Sequence, residues 1–85
     1  MQASVEISMY PFRDEPIPQI SEFIDRLNEY EGIEVKTNVM STQIFGDLST
    51  IFFILQKEID RAYGEGKASF VIKVLKGDVS GMLDE

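Results

Sequence analysis

Residues 3–11, Ala3-Ser4-Val5-Glu6-Ile7-Ser8-Met9-Tyr10-Pro11, alternate apolar and polar side chains with a period of two. Ala3, Val5, Ile7 and Met9 fall on one side, and Ser4, Glu6, Ser8 and the amphipathic Tyr10 on the other. An extended backbone imposes that period, so residues 2–10 read as a strand with one buried face. Pro11 has no backbone N–H and ends it. The stretch 12–18 then reads as a loop into a helix, with Asp14 and Glu15 near the positive end of the helix dipole.

From Ile17 to about Tyr30 the period changes. Ile17, Ile20, Phe23, Ile24, Leu27 and Tyr30 recur at helical spacing. Glu22 and Arg26 form an i, i+4 pair on the polar side, and Gly32 suits a C-cap. Ile33–Thr37 alternates again, and after Asn38-Val39 the segment Met40–Phe45 continues extended to Gly46. These two read as a hairpin, although its turn lacks an Asn-Gly signal. A second helix, capped by Asp47 or Ser49, runs to about Tyr63, with Leu48, Ile51, Phe52, Leu55, Ile59 and Ala62 on one stripe. Gly64-Glu65-Gly66 ends it. A last strand, Ala68–Leu75, turns Ala68, Phe70, Ile72 and Val74 one way and Ser69, Val71 and Lys73 the other. Gly77–Glu85 reads as a short acidic tail, frayed.

Strand, helix, hairpin, helix, strand is the split βαβ order of an α+β, ferredoxin-like βαββαβ sandwich. Right-handed crossovers give an antiparallel sheet of order 4-1-3-2 with both helices on one face. The expectation is one ligand-binding domain over residues 1–78 and a short tail over 79–85.

Composition narrows the function. The 85 residues include neither cysteine nor histidine, so disulfides, thiolate chemistry and the usual acid–base and transition-metal side chains are missing. No spaced acidic loop of EF-hand type is present, and no metal or other cofactor is expected. Eight basic against fifteen acidic residues give a net charge of −7, which repels phosphate backbones and anionic lipid. Nucleic-acid and membrane partners are therefore not expected. The opening Met1-Gln2-Ala3-Ser4 lacks the pattern of a signal peptide and no apolar run spans a bilayer, so the expected location is cytoplasmic. A chain of this size buries a marginal core, and a homodimer or homotetramer is the expected remedy.

One face of the sheet packs on the helices and the other is open. The open face gathers Ser4, Glu6, Ser8 and Tyr10 of strand 1, with Ser41, Gln43 and Phe45 of strand 3 if Thr42 and Ile44 face inward. Strand 4 adds Ser69, Val71 and Lys73, and strand 2 adds Glu34, Lys36 and Asn38. Hydroxyls, an amide, a carboxylate and two rings suit a small polar aromatic ligand. The plainer reading is a solvated sheet face, with Glu6 paired to Lys73. Glu6 on a central strand could instead hold a ligand cation, with cation–π attraction from Tyr10 or Phe45. Phe52-Phe53-Ile54-Leu55 wraps more than one helical face, so at least one of the four is expected to be exposed, at a subunit contact or a pocket wall.

Three stretches carry a resemblance: Ser4–Pro11; Ile17-Pro18 followed by Phe23-Ile24; and Thr37-Asn38-Val39-Met40-Ser41-Thr42-Gln43-Ile44-Phe45-Gly46. In order and spacing, from about Ala3 to Asp78, the chain resembles the YkoF-type thiamine-binding protein family, most specifically at Met40–Gln43 with Phe45-Gly46. The resemblance implies a ferredoxin-like domain that forms dimers and tetramers. It also implies binding of thiamine or its hydroxymethylpyrimidine moiety without turnover, in transport or sequestration. Carried over by position, Glu6, Ser8, Asn38, Ser41, Thr42 and Gln43 are the implied polar contacts, and Tyr10 and Phe45 the aromatic neighbours. The Phe52–Leu55 run is bulkier than the family pattern.

Two other functions compete. A regulatory or interaction module without a ligand would use Tyr10 and Phe45 as interface anchors. An enzyme could set Lys73 or Tyr10 beside Glu6 as acid or base, but no nucleophile–base pair or phosphate loop is present, and none is expected.

Overall fold

A computed structural model describes residues 1–81. Its elements are β1 (Gln2–Pro11), α1 (Ile17–Asn28), β2 (Glu34–Thr37), β3 (Thr42–Asp47), α2 (Leu48–Tyr63) and β4 (Ala68–Lys76). The strands form one antiparallel sheet in the order β2-β3-β1-β4, the ferredoxin-like α+β arrangement expected from the sequence. Val5 pairs with Ile44 and Val74, and Ile7 with Thr42 and Ile72, so one face of the sheet is built from β1's apolar alternation. That face and the helices enclose Val5, Ile7, Phe23, Leu27, Ile44, Ile51 and Leu55, each almost fully buried. Burying a side chain of this size contributes about 1.5–3 kcal/mol.

Boundaries move where side chains seize the backbone. Met40 and Ser41 belong to a turn, not to β3. Asn38 Oδ1 accepts from the backbone N–H groups of Met40 (2.8 Å) and Ser41 (3.1 Å), and Asn38 N–H donates to the Ser41 carbonyl. The hairpin closes on an asparagine-anchored turn at 38–41 in place of Asn-Gly. Helix α1 stops at Asn28; Gly32, with φ +87°, shapes the turn before β2 and is not the cap. Asp47 caps α2 by accepting from Thr50 N–H. The Ser49 hydroxyl, the α-ammonium of Met1 and that N–H together hold the Asp47 carboxyl well below the usual carboxylate range.

Two side-chain expectations are corrected. The buried stripe of α2 is Ile51, Ile54, Leu55, Glu58 and Ala62, so Ile54 replaces Phe52 in the core. Phe52 is 41% and Phe53 69% exposed, the exposure foreseen for that run. Arg26 does pair with Glu22 at 2.7 Å, yet it lies buried between the helices, where its Nε also donates to Glu58 Oε1 at 2.8 Å. Tyr30 OH donates to the other Glu58 oxygen at 2.6 Å. A polar stripe was read where the two helices in fact share an ion pair.

The C-terminal segment also differs from expectation. Residues 77–81 turn back over the open face of the sheet. Gly77, with φ +94°, reverses the chain, and its N–H donates to the Gln2 carbonyl. Val79 and Ser80 are thus held against the sheet and not frayed; residues 82–85 of that stretch lie outside the described residues. Among the described residues, no helix is long and apolar enough to cross a membrane.

Candidate functional site

Register places the candidate residues on three distinct surfaces. Glu6 faces Gln43 across β1–β3 and Lys73 across β1–β4, on the open face. Ser4 sits opposite Phe45 and Leu75 on that face, Ser8 opposite Val71, and Tyr10 opposite Ser69. Thr42 is opposite Ile7, which turns it toward the helices, where it is buried and shares a 3.1 Å hydrogen bond with Thr37. Asn38 and Ser41 stand in the turn.

On the open face the polar groups form a chain. The Ser41 hydroxyl donates to Glu6 Oε2 at 2.9 Å, and Gln43 Nε2 donates to the Ser41 oxygen at 2.8 Å. Lys73 Nζ lies 3.6 Å from Glu6 Oε1 but is largely exposed, so the pair is loose and screened. The Glu6–Lys73 pairing weighed from the sequence is therefore present, and it does not saturate the carboxylate. Among the described residues, Glu6 Oε1 thus has only the exposed Lys73 amine near it, at 3.6 Å.

Two hollows flank this chain. A notch of about 300 Å³ opens where β3 ends at Thr42 while β1 runs on, paired only with β4, to Pro11. Its walls are Ile20, Phe23 and Ile24 of α1 and Val39 and Met40 of the turn; Ser8, Tyr10, Asn38, Ser41 and Thr42 also line it. An antiparallel strand that outruns its neighbour leaves backbone N–H and C=O groups without a ladder partner. A flat molecule with a donor–acceptor edge can take their place. Among the described residues, no lysine, arginine, aspartate or glutamate lines the notch.

The second hollow, a groove of about 420 Å³ on the open face, is lined by Glu6, Gln43 and Lys73 at one end and by Ser4, Phe45, Leu75 and Val79 at the other. Phe45 belongs to the open face by register, yet only 3% of it is exposed, and Val79 of the returning segment lines the same groove. Five of the eight candidate residues thus meet in the notch and three in the groove. Ser41 joins the two, lining the notch while bonding to Glu6 in the groove. Ser4 lies on the open face as the sequence alternation places it, but Val79 as a groove wall and the apolar side of α1 as a notch wall are not foreseen by the sequence. The surplus apolar residues of α1 were a usable signal, because Ile24 and Ile20 are only partly covered by the core.

Among the described residues, no three histidine, cysteine, aspartate or glutamate side chains are grouped as a metal site. No family model matches the sequence, and no curated protein matches it. Solved structures do match. Protein SP2199 from Streptococcus pneumoniae superposes with a TM-score of 0.89 at 20% identity, over 100% of both chains. A protein provisionally assigned to thiamine biosynthesis or salvage in Thermotoga maritima gives 0.87 at 10% identity, covering 99% of this chain and 97% of its own. A domain of unknown function, DUF77, from Bacillus cereus gives 0.71 at 13% identity, over 93% and 79%. The likeness is one of fold.

Proposed function

We propose that this chain binds thiamine or its hydroxymethylpyrimidine moiety, without turnover, for transport or sequestration in the cytoplasm. The observation that carries the reading is the notch at the end of β3, joined through Ser41 to the Glu6 carboxylate. An aminopyrimidine is flat and presents both a donor and an acceptor on one edge, which matches the unladdered edge of β1 and the Ser8 and Thr42 hydroxyls. The apolar walls from Ile20, Phe23 and Ile24 suit its ring faces. The fixed positive charge of the thiazolium would then fall toward Glu6, with Gln43 beside it. The net charge of −7 favours a cationic ligand. The fold shared with the Thermotoga maritima protein supports the same reading.

The proposed role is binding without turnover; among the described residues lining the site, no nucleophile stands beside a base to favour catalysis. Self-association is a second reading, favoured by the exposed Val71, Val74 and Leu75 on the outermost strand β4. Phe45 is too deeply covered to anchor such an interface, whereas Tyr10, 55% exposed, is available.

Calorimetric titration with thiamine tests the reading. Binding is expected, and Glu6→Gln should weaken it about 3–10-fold, the scale of a half-exposed charge pair. No heat and no thermal shift at millimolar thiamine would refute it.

A further inference from the structure

We infer that Ser4 is a positioning residue, whose hydroxyl latches residues 77–81 as the far wall of the Glu6 groove. The inference rests on the ligand reading above for its functional part, and on the geometry alone for the latch. Ser4 lies in the middle of the sheet, two residues before Glu6 on the same face of β1, and only 6% of it is exposed. Its hydroxyl donates to the Gly77 carbonyl at 2.7 Å and accepts from Val79 N–H at 3.1 Å. One side chain thus uses both its donor and its acceptor capacity on the returning segment. Lys36 Nζ adds a 3.3 Å contact to the Ser80 carbonyl, and Asp78 Oδ1 accepts from Ser80 N–H at 2.9 Å.

The consequence is a shaped groove. With the segment latched, Val79 lines the groove together with Glu6, Gln43 and Phe45. Without it, the groove would lose the wall that Val79 provides and open toward a flat sheet surface. A cation bound at Glu6 then gains from exclusion of water on that side, since the attraction rises as the local dielectric falls. The attachment is also light, because a few hydrogen bonds, one of them from the Lys36 ammonium at 3.3 Å, and one valine hold it. It can open to admit a ligand and close behind it, which places its effect on dissociation more than on association.

The test compares wild type with Ser4→Ala, Ser4→Thr and Val79→Ala. Backbone hydrogen exchange reads the latch without any ligand: Ser4→Ala should speed exchange at Val79 about tenfold while leaving the Ile7 amide unchanged. Ser4→Thr, which keeps the hydroxyl, should restore protection. Trypsin should cut after Lys76 faster in Ser4→Ala. Stopped-flow thiamine release should quicken about threefold or more in Ser4→Ala and Val79→Ala, with the release rate restored in Ser4→Thr. Val79 leaves β1 intact, so its variant keeps the test alive if Ser4→Ala fails to fold. Unchanged Val79 exchange in Ser4→Ala would overturn the latch. Normal thiamine release from both alanine variants would overturn the wall. Absence of thiamine binding by wild type would instead overturn the ligand reading, and with it the wall, while the exchange result still decides the latch.

Discussion

Replacing Glu58 by alanine should be among the costliest single changes in the helix layer. Its side chain is 1% exposed and that of Arg26 is 9% exposed, with Arg26 Nε 2.8 Å from Glu58 Oε1. Tyr30 OH holds the other oxygen at 2.6 Å, and Arg61 Nη1 stands 3.7 Å away. Among the described residues no acceptor meets the buried Arg26 Nη2, so its two N–H groups already go unpaired. Removing one partner from a buried pair costs about 3–5 kcal/mol, because the other charge stays out of water. Here Glu22, half exposed, would still hold Arg26 Nη1 at 2.7 Å, which sets the expectation at the low end, about 3 kcal/mol. The whole 85-residue domain has about 4–13 kcal/mol to lose. Urea unfolding followed by circular dichroism should report that loss, with a fall in Tm of about 12–24 °C. Arg26→Met with Glu58→Leu should recover to within about 1 kcal/mol of wild type, since an apolar pair of similar volume avoids desolvation. The reasoning fails if Glu58→Ala stays within about 1 kcal/mol of wild type, or if the double variant is no more stable than the single.

Two further expectations follow from the same geometry and from the notch. Glu58, as hydrogen-bond acceptor, then burial, then carboxylate repulsion raise the Tyr30 hydroxyl above its ordinary 10.0, so its stabilising effect is complete below that pH and fades as pH rises through the raised value. Denaturation from pH 7 to 11 should therefore show the gap between wild type and Tyr30→Phe, about 1 kcal/mol at neutral pH, shrinking only above pH 10; a gap that shrinks below pH 9 would contradict this. Among the described residues the notch lining carries no cationic side chain, and the chain is strongly acidic. Calorimetry should accordingly find thiamine diphosphate bound at least about tenfold more weakly than thiamine, and equal affinity would contradict the uncharged lining.

Most of the fold could be read from β1, because one face of that strand must be apolar for the sheet to pack, and its period survives in the sequence. The hairpin register was less legible. It depends on Asn38 spending its side chain on the 38–41 turn, and an asparagine alone does not declare which backbone groups it will bond. Arg26 falls on the polar side by period because period analysis assigns charge to the outside, whereas two opposite charges, here Arg26 and Glu58, can share a buried interhelical position. Phe52 was placed in the core for the converse reason, that hydrophobicity alone cannot choose between Phe52 and Ile54 at neighbouring angles. Of the site, the Glu6–Ser41–Gln43 chain was legible from strand alternation, once Thr42 was taken to face inward. The notch was not, because it arises from unequal strand lengths. The Val79 wall was not either, since a glycine-bearing acidic end gives no periodic signal that it returns to the sheet.

Nitrogen-15 NMR titration with unlabelled thiamine asks most directly whether the notch and Glu6 form one site. The account expects saturable shifts concentrated at the amides of Ser8, Tyr10, Ser41 and Thr42 with Glu6, and little change at Phe53 and Lys57 on the outer side of α2. Shifts that avoid the end of β3, or none at millimolar thiamine, would contradict it.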